Sequence, residues 1–327
     1  MGLRPGAGGP ARTRHPRTLR PPILRSAPGG GSVTDRAFAV VRAGALTTVQ
    51  DLGRIGHAHL GVPRSGALDA DAHRLANRLV GNAPEAATLE TTVTGCAVRV
   101  RCAVTVAVTG APCPVTVDGR PAAWGAPVRV PADAVLEVGT VTHGLRSYVA
   151  FAGGVGIEPV LGSRATDLLS GLGPDPLADG AVLPLGTPGA PAVAADAVPH
   201  AGPVRELVLP VRLGPRDDWF TAQGLRTLLT GVWRVSAESN RIGLRTEGPS
   251  LERARDGELP SEGMALGAVQ VPPNGLPVLF LADHPTTGGY PVVGVVQEAA
   301  LPAAAQAAPG TPVRFVRAHR GPRTRGA

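Results

Sequence analysis

The chain has 327 residues, 43% of them hydrophobic but only 3% aromatic, with 44 glycines, 34 prolines and a formal net charge of +7. That length accommodates two domains with real cores, and so much Gly and Pro demands many turns and short elements, which favours β-rich architecture over a helical bundle. No lysine occurs anywhere, which excludes a biotinyl-lysine on this chain, a lysine Schiff base and a Walker-type phosphate loop.

The charge is unevenly placed. Residues 1–35 hold six arginines against Asp35, and 314–327 hold five with no acid, so 36–313 carries −3. A nucleic-acid-binding fold bears positive charge on its own surface, so no nucleic acid is expected as a partner. Residues 1–35 read as a disordered Arg/Pro/Gly-rich extension and 319–327 as a basic tail. The extension lacks the apolar stretch of a secretory signal, and no apolar run approaches the roughly 18 residues of a membrane span. Cys96, Cys102 and Cys113 match no zinc spacing and read as small buried hydrophobes, which suits a reducing cytoplasm.

In chain order, a strand at 37–41 opens the fold. A helix follows over 69–80 (DADAHRLANRLV), with Asp69 as N-cap and Gly81-Asn82 as its stop. Short apolar runs at 97–100, 104–108, 115–117, 128–130, 135–138 and 147–151 read as strands, and Asp118-Gly119 as a hairpin turn. A Pro/Ala/Gly-rich link at 187–203 leads to a second strand-rich block from 206 to 316, with a helix expected at 220–229. The reading is mainly β, with a first domain over 36–200 and a second over 201–318.

Three polar, Gly-containing constellations stand out. Gln50, Asp51 and Arg54, followed by Ser65 and Asp69, suit a polar planar group, because Arg forks onto carboxylate or phosphate while Gln and Asp address an amide. An Asp51–Arg54 ion pair bracing a turn, with Ser65 and Asp69 serving only as caps, explains the same residues. Asn240, Arg241 and Arg245 surround a glycine as an anion loop would, or as solvated arginines of a hairpin would. Ser261, Glu262 and Gln270 precede the Asn274-Gly275 turn; a buried Gln270 needs hydrogen-bond partners. After the apolar run 278–283, ending in Asp283, come Thr286, Thr287, Gly288, Gly289, Tyr290 and Pro291, a loop that offers hydroxyls and backbone N–H groups at close approach. The loops at 50–54, 239–245 and 286–290 are expected around one cleft between the domains, with Arg54 and Arg245 exposed to it. His57 and His59 alternate, but no metal is expected from a lone pair.

These stretches, in the order TTVQDLGRIG, GVPRSGALD, ANRLVGN, LETTVTG, SNRIGLRTEGP, SEGMALGAVQVPPNGLPV and ADHPTTGGYPVVGVV, resemble the allophanate hydrolase subunit 2-like (KipA-like, carboxyltransferase-domain) family over about 38–317. The resemblance implies two tandem cyclophilin-like β-barrels with a few short helices. It further implies the C subunit of an ATP-dependent 5-oxoprolinase, working with A-subunit-like and B-subunit-like (KipI-like) chains. In that reaction ATP activates the lactam oxygen of a small amide substrate and water opens the ring to glutamate; no biotin is carried here. A carboxyltransferase subunit fed by carboxybiotin from a separate carrier, and a KipA-like regulator of a KipI-like partner, belong to the same family. Three departures touch the site. Residues 172–176 replace a Gly-rich, Arg-ending segment, His284-Pro285 replaces an Arg-polar pair, and Asn240 stands where Asp is common.

Overall fold

Two hydrophobic cores, built mostly of Val, Leu and Ala, organise the molecule. The computed structural model describes residues 36–192, 198, 202–257 and 259–318. The expected extension, the basic tail and part of the 187–203 link lie outside the described residues.

The first core lies between two antiparallel sheets. One runs in the order Val182–Pro184, Ala37–Arg42, Cys96–Val100, Val135–Val138, Val115–Val117 and Arg120–Ala122. The other runs Thr47–Gln50, Thr88–Thr92, Arg146–Phe151, Val104–Gly110 and Val128–Val130. Alternate side chains of each strand point inward. Phe38 stacks on Phe151 at 4.9 Å, so the two aromatics bridge the sheets.

Helix α1, Ala70–Leu79, lies across the strands Val104–Gly110 and Arg146–Phe151. It starts where expected because the Asp69 carboxylate accepts from the Ala72 N–H at 3.0 Å, satisfying an otherwise orphaned donor. Its inner face buries Ala72, His73, Ala76, Asn77 and Leu79.

The second core fills a closed barrel of seven strands: Leu207–Leu213, Val292–Val296, Ala268–Gln270, Val278–Phe280, Gly243–Glu247, Trp233–Val235 and Pro312–Arg317. The last strand runs parallel to the first and closes the ring, which removes sheet edges. Helix α2, Ala222–Thr230, begins two residues later than the sequence pattern suggests, because Thr221 Oγ1 accepts from Gly224 N at 2.9 Å and fixes the start. Helix α3, Leu301–Gln306, precedes the closing strand. The expected strand at 278–283 pairs only over Val278–Phe280; Asp283 leaves the ladder.

Leu68, from the first half of the chain, packs into the second core. Ser65 N donates to the Ala282 carbonyl at 3.0 Å. The segment 65–69 is therefore shared by both barrels.

His73, buried under α1, generates a pH prediction. Its Nε2 faces the Pro84 carbonyl at 3.0 Å and must donate to it, which leaves Nδ1 to accept from Thr88 Oγ1 at 2.9 Å. Burial outweighs the raising effect of the Pro84 bond and lowers its pKa from 6.5 to about 4. The neutral ring is the folded form, so the stability it contributes is complete above pH 6.5 and is lost as pH falls towards 4. Between pH 7 and pH 5 the loss from this group is about 2 kcal/mol. Urea titrations at the two pH values should show it, and His73→Gln should flatten the difference; an unchanged pH slope in that variant would contradict the assignment.

Candidate functional site

The seam between the barrels is built around charges. Glu90 sits in the strand Thr88–Thr92, opposite Thr48 and Tyr148 of its two neighbours. Its Oε2 accepts from Tyr148 Oη at 2.7 Å and from Leu68 N at 3.0 Å. Its Oε1 receives Arg241 Nη1 and lies 3.8 Å from Arg146 Nε. Arg241 reaches over from the second barrel. Its Nε and Nη2 donate to the two oxygens of Asp283 at 2.9 and 3.0 Å, and Nη2 also donates to the Gly66 carbonyl at 2.7 Å. Arg241, Glu90 and Asp283 are 2%, 2% and 0% exposed, so water screens none of them.

Unpaired charges at that depth would cost several kcal/mol each, and the fork geometry of Arg241 between two carboxylates removes that cost. Burial alone would raise the Glu90 carboxyl, but Arg241 and Arg146 outweigh it and hold the group below the usual carboxylate range. Burial likewise opposes the charge on Arg241, and Glu90 and Asp283 outweigh it, so the guanidinium stays protonated.

A second layer surrounds this pair. Gln306, from α3, accepts from Leu145 N and Arg146 N at 3.0 Å each, and donates to Asp69 Oδ2 and the Arg146 carbonyl at 2.9 Å. Arg146 donates to the Ala305 carbonyl. Ser65 Oγ stands 2.8 Å from Asp283 Oδ1 and 2.9 Å from the Thr166 carbonyl, with one proton for the two acceptors. Ser65 adopts φ 56° and Gly66 φ 96°. A Cβ on Gly66 would fall 2.8 Å from Gly53 N, so the segment 65–66 and the 51–53 turn close on each other only with glycine there.

Of the residues singled out from the sequence, Ser65, Arg241 and Asp283 meet directly in this seam, and Asp69 joins through Gln306. Gln50 is one step away: its Nε2 donates to Thr48 Oγ1 and to the Thr166 carbonyl, both at 3.0 Å. Asp51 accepts from Gly53 N, Ser163 Oγ and Arg164 N. Arg54 corrects an expectation. It is 2% exposed, and its Nε and Nη2 donate to the carbonyls of Val160 and Ala165 at 3.1 and 2.5 Å. It is a buried brace, because the 160–165 loop presents carbonyls that need donors; its Nη1 has no hydrogen-bond partner.

The other candidates lie apart. Asn240 Oδ1 accepts from Ile242 N at 2.8 Å and shapes a turn, and Arg245 is exposed on the barrel wall. Thr287–Gly288 pairs with Glu262–Gly263 as a two-stranded flap beside Ser261. Thr286 and Gly289 receive backbone bonds from Met264 and Leu259, and Gln270 Nε2 donates to the Tyr290 carbonyl at 3.1 Å. Glu262 pairs with Arg216. No hydrogen bond or ion pair joins this flap directly to residues 50–54 among the described residues; Arg241 connects to Asp283, just before the flap, and to Gly66, which packs on Gly53. His57 precedes and His59 lies within a 3-10 turn at Ala58–Leu60, not a strand.

A cleft of about 290 Å3 opens between the barrels beside the seam. Its walls are apolar: Leu52, Ala67 and Leu68 from the first half, Leu266, Leu281, Leu301 and Pro302 from the second. Arg64, Ser65, Asp71, Arg74 and Glu298 supply its polar groups. Arg74 pairs with Asp71 at 3.2 Å. Arg64 has no carboxylate partner among the described residues; it adds to the burial that lowers the His284 pKa. Sequence reasoning missed Glu90, Arg146, Gln306, Arg64 and Arg74. The signal for Glu90 was a lone acid inside the buried run Thr88–Thr92. The N-terminus of α1 does not suit a triphosphate, because Asp69 caps it and Asp71 occupies its first turn.

Known proteins share this architecture. Residues 60–317 match the family model "carboxyltransferase domain, subdomain A and B". The chain is 38% identical over 284 residues to the C subunit of Escherichia coli K12 5-oxoprolinase, covering 85% of this chain and 90% of that one. It is 32% identical over 306 residues to urea amidolyase of Saccharomyces cerevisiae, of which it spans 16%. Among solved structures, TTHA0988 superposes with a TM-score of 0.77 at 35% identity, covering 86% of this chain and 56% of that one. The Kluyveromyces lactis urea amidolyase superposes at 0.80 and 32% identity over 86% of this chain and 18% of that one.

The seam predicts a sharp contrast in stability. Glu90→Gln leaves Arg241 and Arg146 facing a neutral amide in a dry site, and should lower unfolding free energy by about 3–5 kcal/mol in denaturant titration. Arg245→Ala, on the exposed wall, should stay within about 0.5 kcal/mol of wild type. Equal effects at the two sites would contradict the buried-network description.

Proposed function

Because the chain belongs to the carboxyltransferase-domain family (subdomains A and B), we propose that it is the C subunit of an ATP-dependent 5-oxoprolinase, acting in the cytoplasm with A-subunit-like and B-subunit-like partners. The observation that carries this reading is the near full-length match to the E. coli protein, 90% of that chain, against 16% of the yeast urea amidolyase. The cleft supports it. Apolar walls suit the ring of a small lactam, and Arg64 at their edge suits its carboxylate through a charge-assisted hydrogen bond.

In this reading the chain binds and orients the amide substrate and keeps water from its apolar face, while Arg64 neutralises the carboxylate. ATP supplies activation of the lactam oxygen when bound by the complex. The α1 terminus does not fit its phosphates, so no phosphate contact is assigned to this chain. A second reading, a carboxyltransferase subunit taking carboxybiotin from a separate carrier, draws on the family model and on the urea amidolyase superposition. Glutamate release from 5-oxoproline plus ATP, with each subunit omitted in turn, separates the two. Release that needs this chain supports the first, and no release in any combination excludes it.

Arg64→Ala in the reconstituted complex should raise KM for 5-oxoproline by roughly tenfold to a hundredfold, the equivalent of one lost charged hydrogen bond, with an unchanged melting temperature. An unchanged KM would remove Arg64 from the site.

A further inference from the structure

Eleven large hydrophobic side chains are exposed among the described residues, and six of them fall on two segments. Ile55 and Leu60 are 71% and 61% exposed; Val160, Leu161, Leu168 and Leu169 stand between 39% and 45%. The two segments are one surface. Arg54 leads into the first and donates to carbonyls of the second, at Val160 and Ala165. Asp51 accepts from Ser163 Oγ and Arg164 N at 2.6 Å each. Residues 55–61 and 159–163 contain no Asp, Glu or Arg.

The surface is also rigid. Val160 and Ser163 bond to each other in both directions, closing a tight turn. At its tip Leu161 has φ 51° and Gly162 φ 78°. A leucine in the left-handed region is strained, and here the strain holds an apolar side chain out towards water, a combination that folding does not reward. The far edge of the patch reaches the seam, where Leu168 N donates to Asp283 Oδ2 at 3.3 Å.

We propose that this face, centred on Ile55 and Leu161, is the docking surface for a second, different polypeptide, the B-subunit-like partner. The proposal rests on the 5-oxoprolinase reading above. Three observations fit a polypeptide occupant, and the 5-oxoprolinase reading supplies its identity. An uncharged apolar centre is the composition of a stable interface core, and six such side chains supply the middle of the roughly 800 Å2 a partner covers. The pre-set backbone of 160–163 lowers the ordering cost of association. In TTHA0988 the matched region is 56% of the chain, so the same fold there is joined to further protein, and the E. coli relative is named as one subunit of its enzyme. A partner seated on this face would lie beside the cleft, next to Leu52 and the seam.

The test co-expresses the full chain with the B-subunit-like protein and follows size-exclusion elution at micromolar concentration, with glutamate release measured on the same preparations after adding the A-subunit-like protein. Ile55→Asp/Leu161→Asp is the variant; aspartate tolerates the left-handed conformation better than leucine, so the turn is preserved. Val232→Asp, at a 55% exposed site on the second barrel, is the control. The expected result is one peak for the wild-type pair and for the control, and two peaks for the double variant, whose melting temperature alone matches wild type. A single peak for the double variant, with glutamate still released, overturns the surface and leaves the 5-oxoprolinase reading intact. A wild-type chain that elutes alone as a dimer, broken by the double variant, makes the face a self-interface and overturns the occupant. Two wild-type peaks overturn this proposal, and if no combination releases glutamate the 5-oxoprolinase reading falls with it.

Discussion

Arg241 is the residue on which the arrangement of the two barrels depends. A guanidinium stays charged at any ordinary pH, so burying it commits the structure to carboxylates at fixed positions. One of these, Asp283, comes from the end of the same barrel's strand region; the other, Glu90, comes from the first domain. The fork therefore spans the seam, and the relative placement of the barrels follows from satisfying it. Replacing such a pair with apolar residues is often neutral or better for stability alone, so its value here lies in register. A shift of the barrels by even an ångström or two would leave buried charge unpaired.

The seam separates scaffold from site. Arg241 is occupied by two carboxylates and a carbonyl, while Arg54 and Arg146 brace backbone carbonyls and leave Arg54 Nη1 and Arg146 Nε without a hydrogen-bond partner. Arg64 and Arg74 border the cleft instead, and of the two Arg74 alone forms an ion pair among the described residues. Because Ser65 and Leu68 are tied into both barrels, Arg64 is carried on a backbone that cannot drift relative to the cleft walls. In the proposed role, a cation on so fixed a segment would lose little freedom on binding a ligand.

Much of the fold was legible in the sequence. The 69–80 helix carried its own cap in Asp69, and the short Val-rich runs at 97–138 alternated as half-buried strands do. The site was less so, for a physical reason. Arg54, flanked by glycines and preceded by Asp51, has the local pattern of an anion clamp and equally that of a buried brace; only burial distinguishes them, and burial is set by residues 160–165, more than a hundred positions away. Arg64 lies in a segment where Ser65 and Asp69 drew attention as helix-start residues. The glycine-rich 286–290 loop was read as a ligand loop, yet its backbone groups pair with 259–264 as a flap. The strand Thr88–Thr92 and its Glu90 were not singled out in the sequence, and nothing local foretells that the partner of Glu90 comes from residue 241.

A buried charge network that spans the seam makes the two barrels one cooperative body. Differential scanning calorimetry of the full chain tests this most directly. A single transition whose calorimetric and van't Hoff enthalpies agree is the predicted result, because neither barrel can open without stranding Glu90 or Arg241. Two resolved transitions, or a calorimetric enthalpy about twice the van't Hoff value, would show that the barrels unfold independently and that the seam does not couple them.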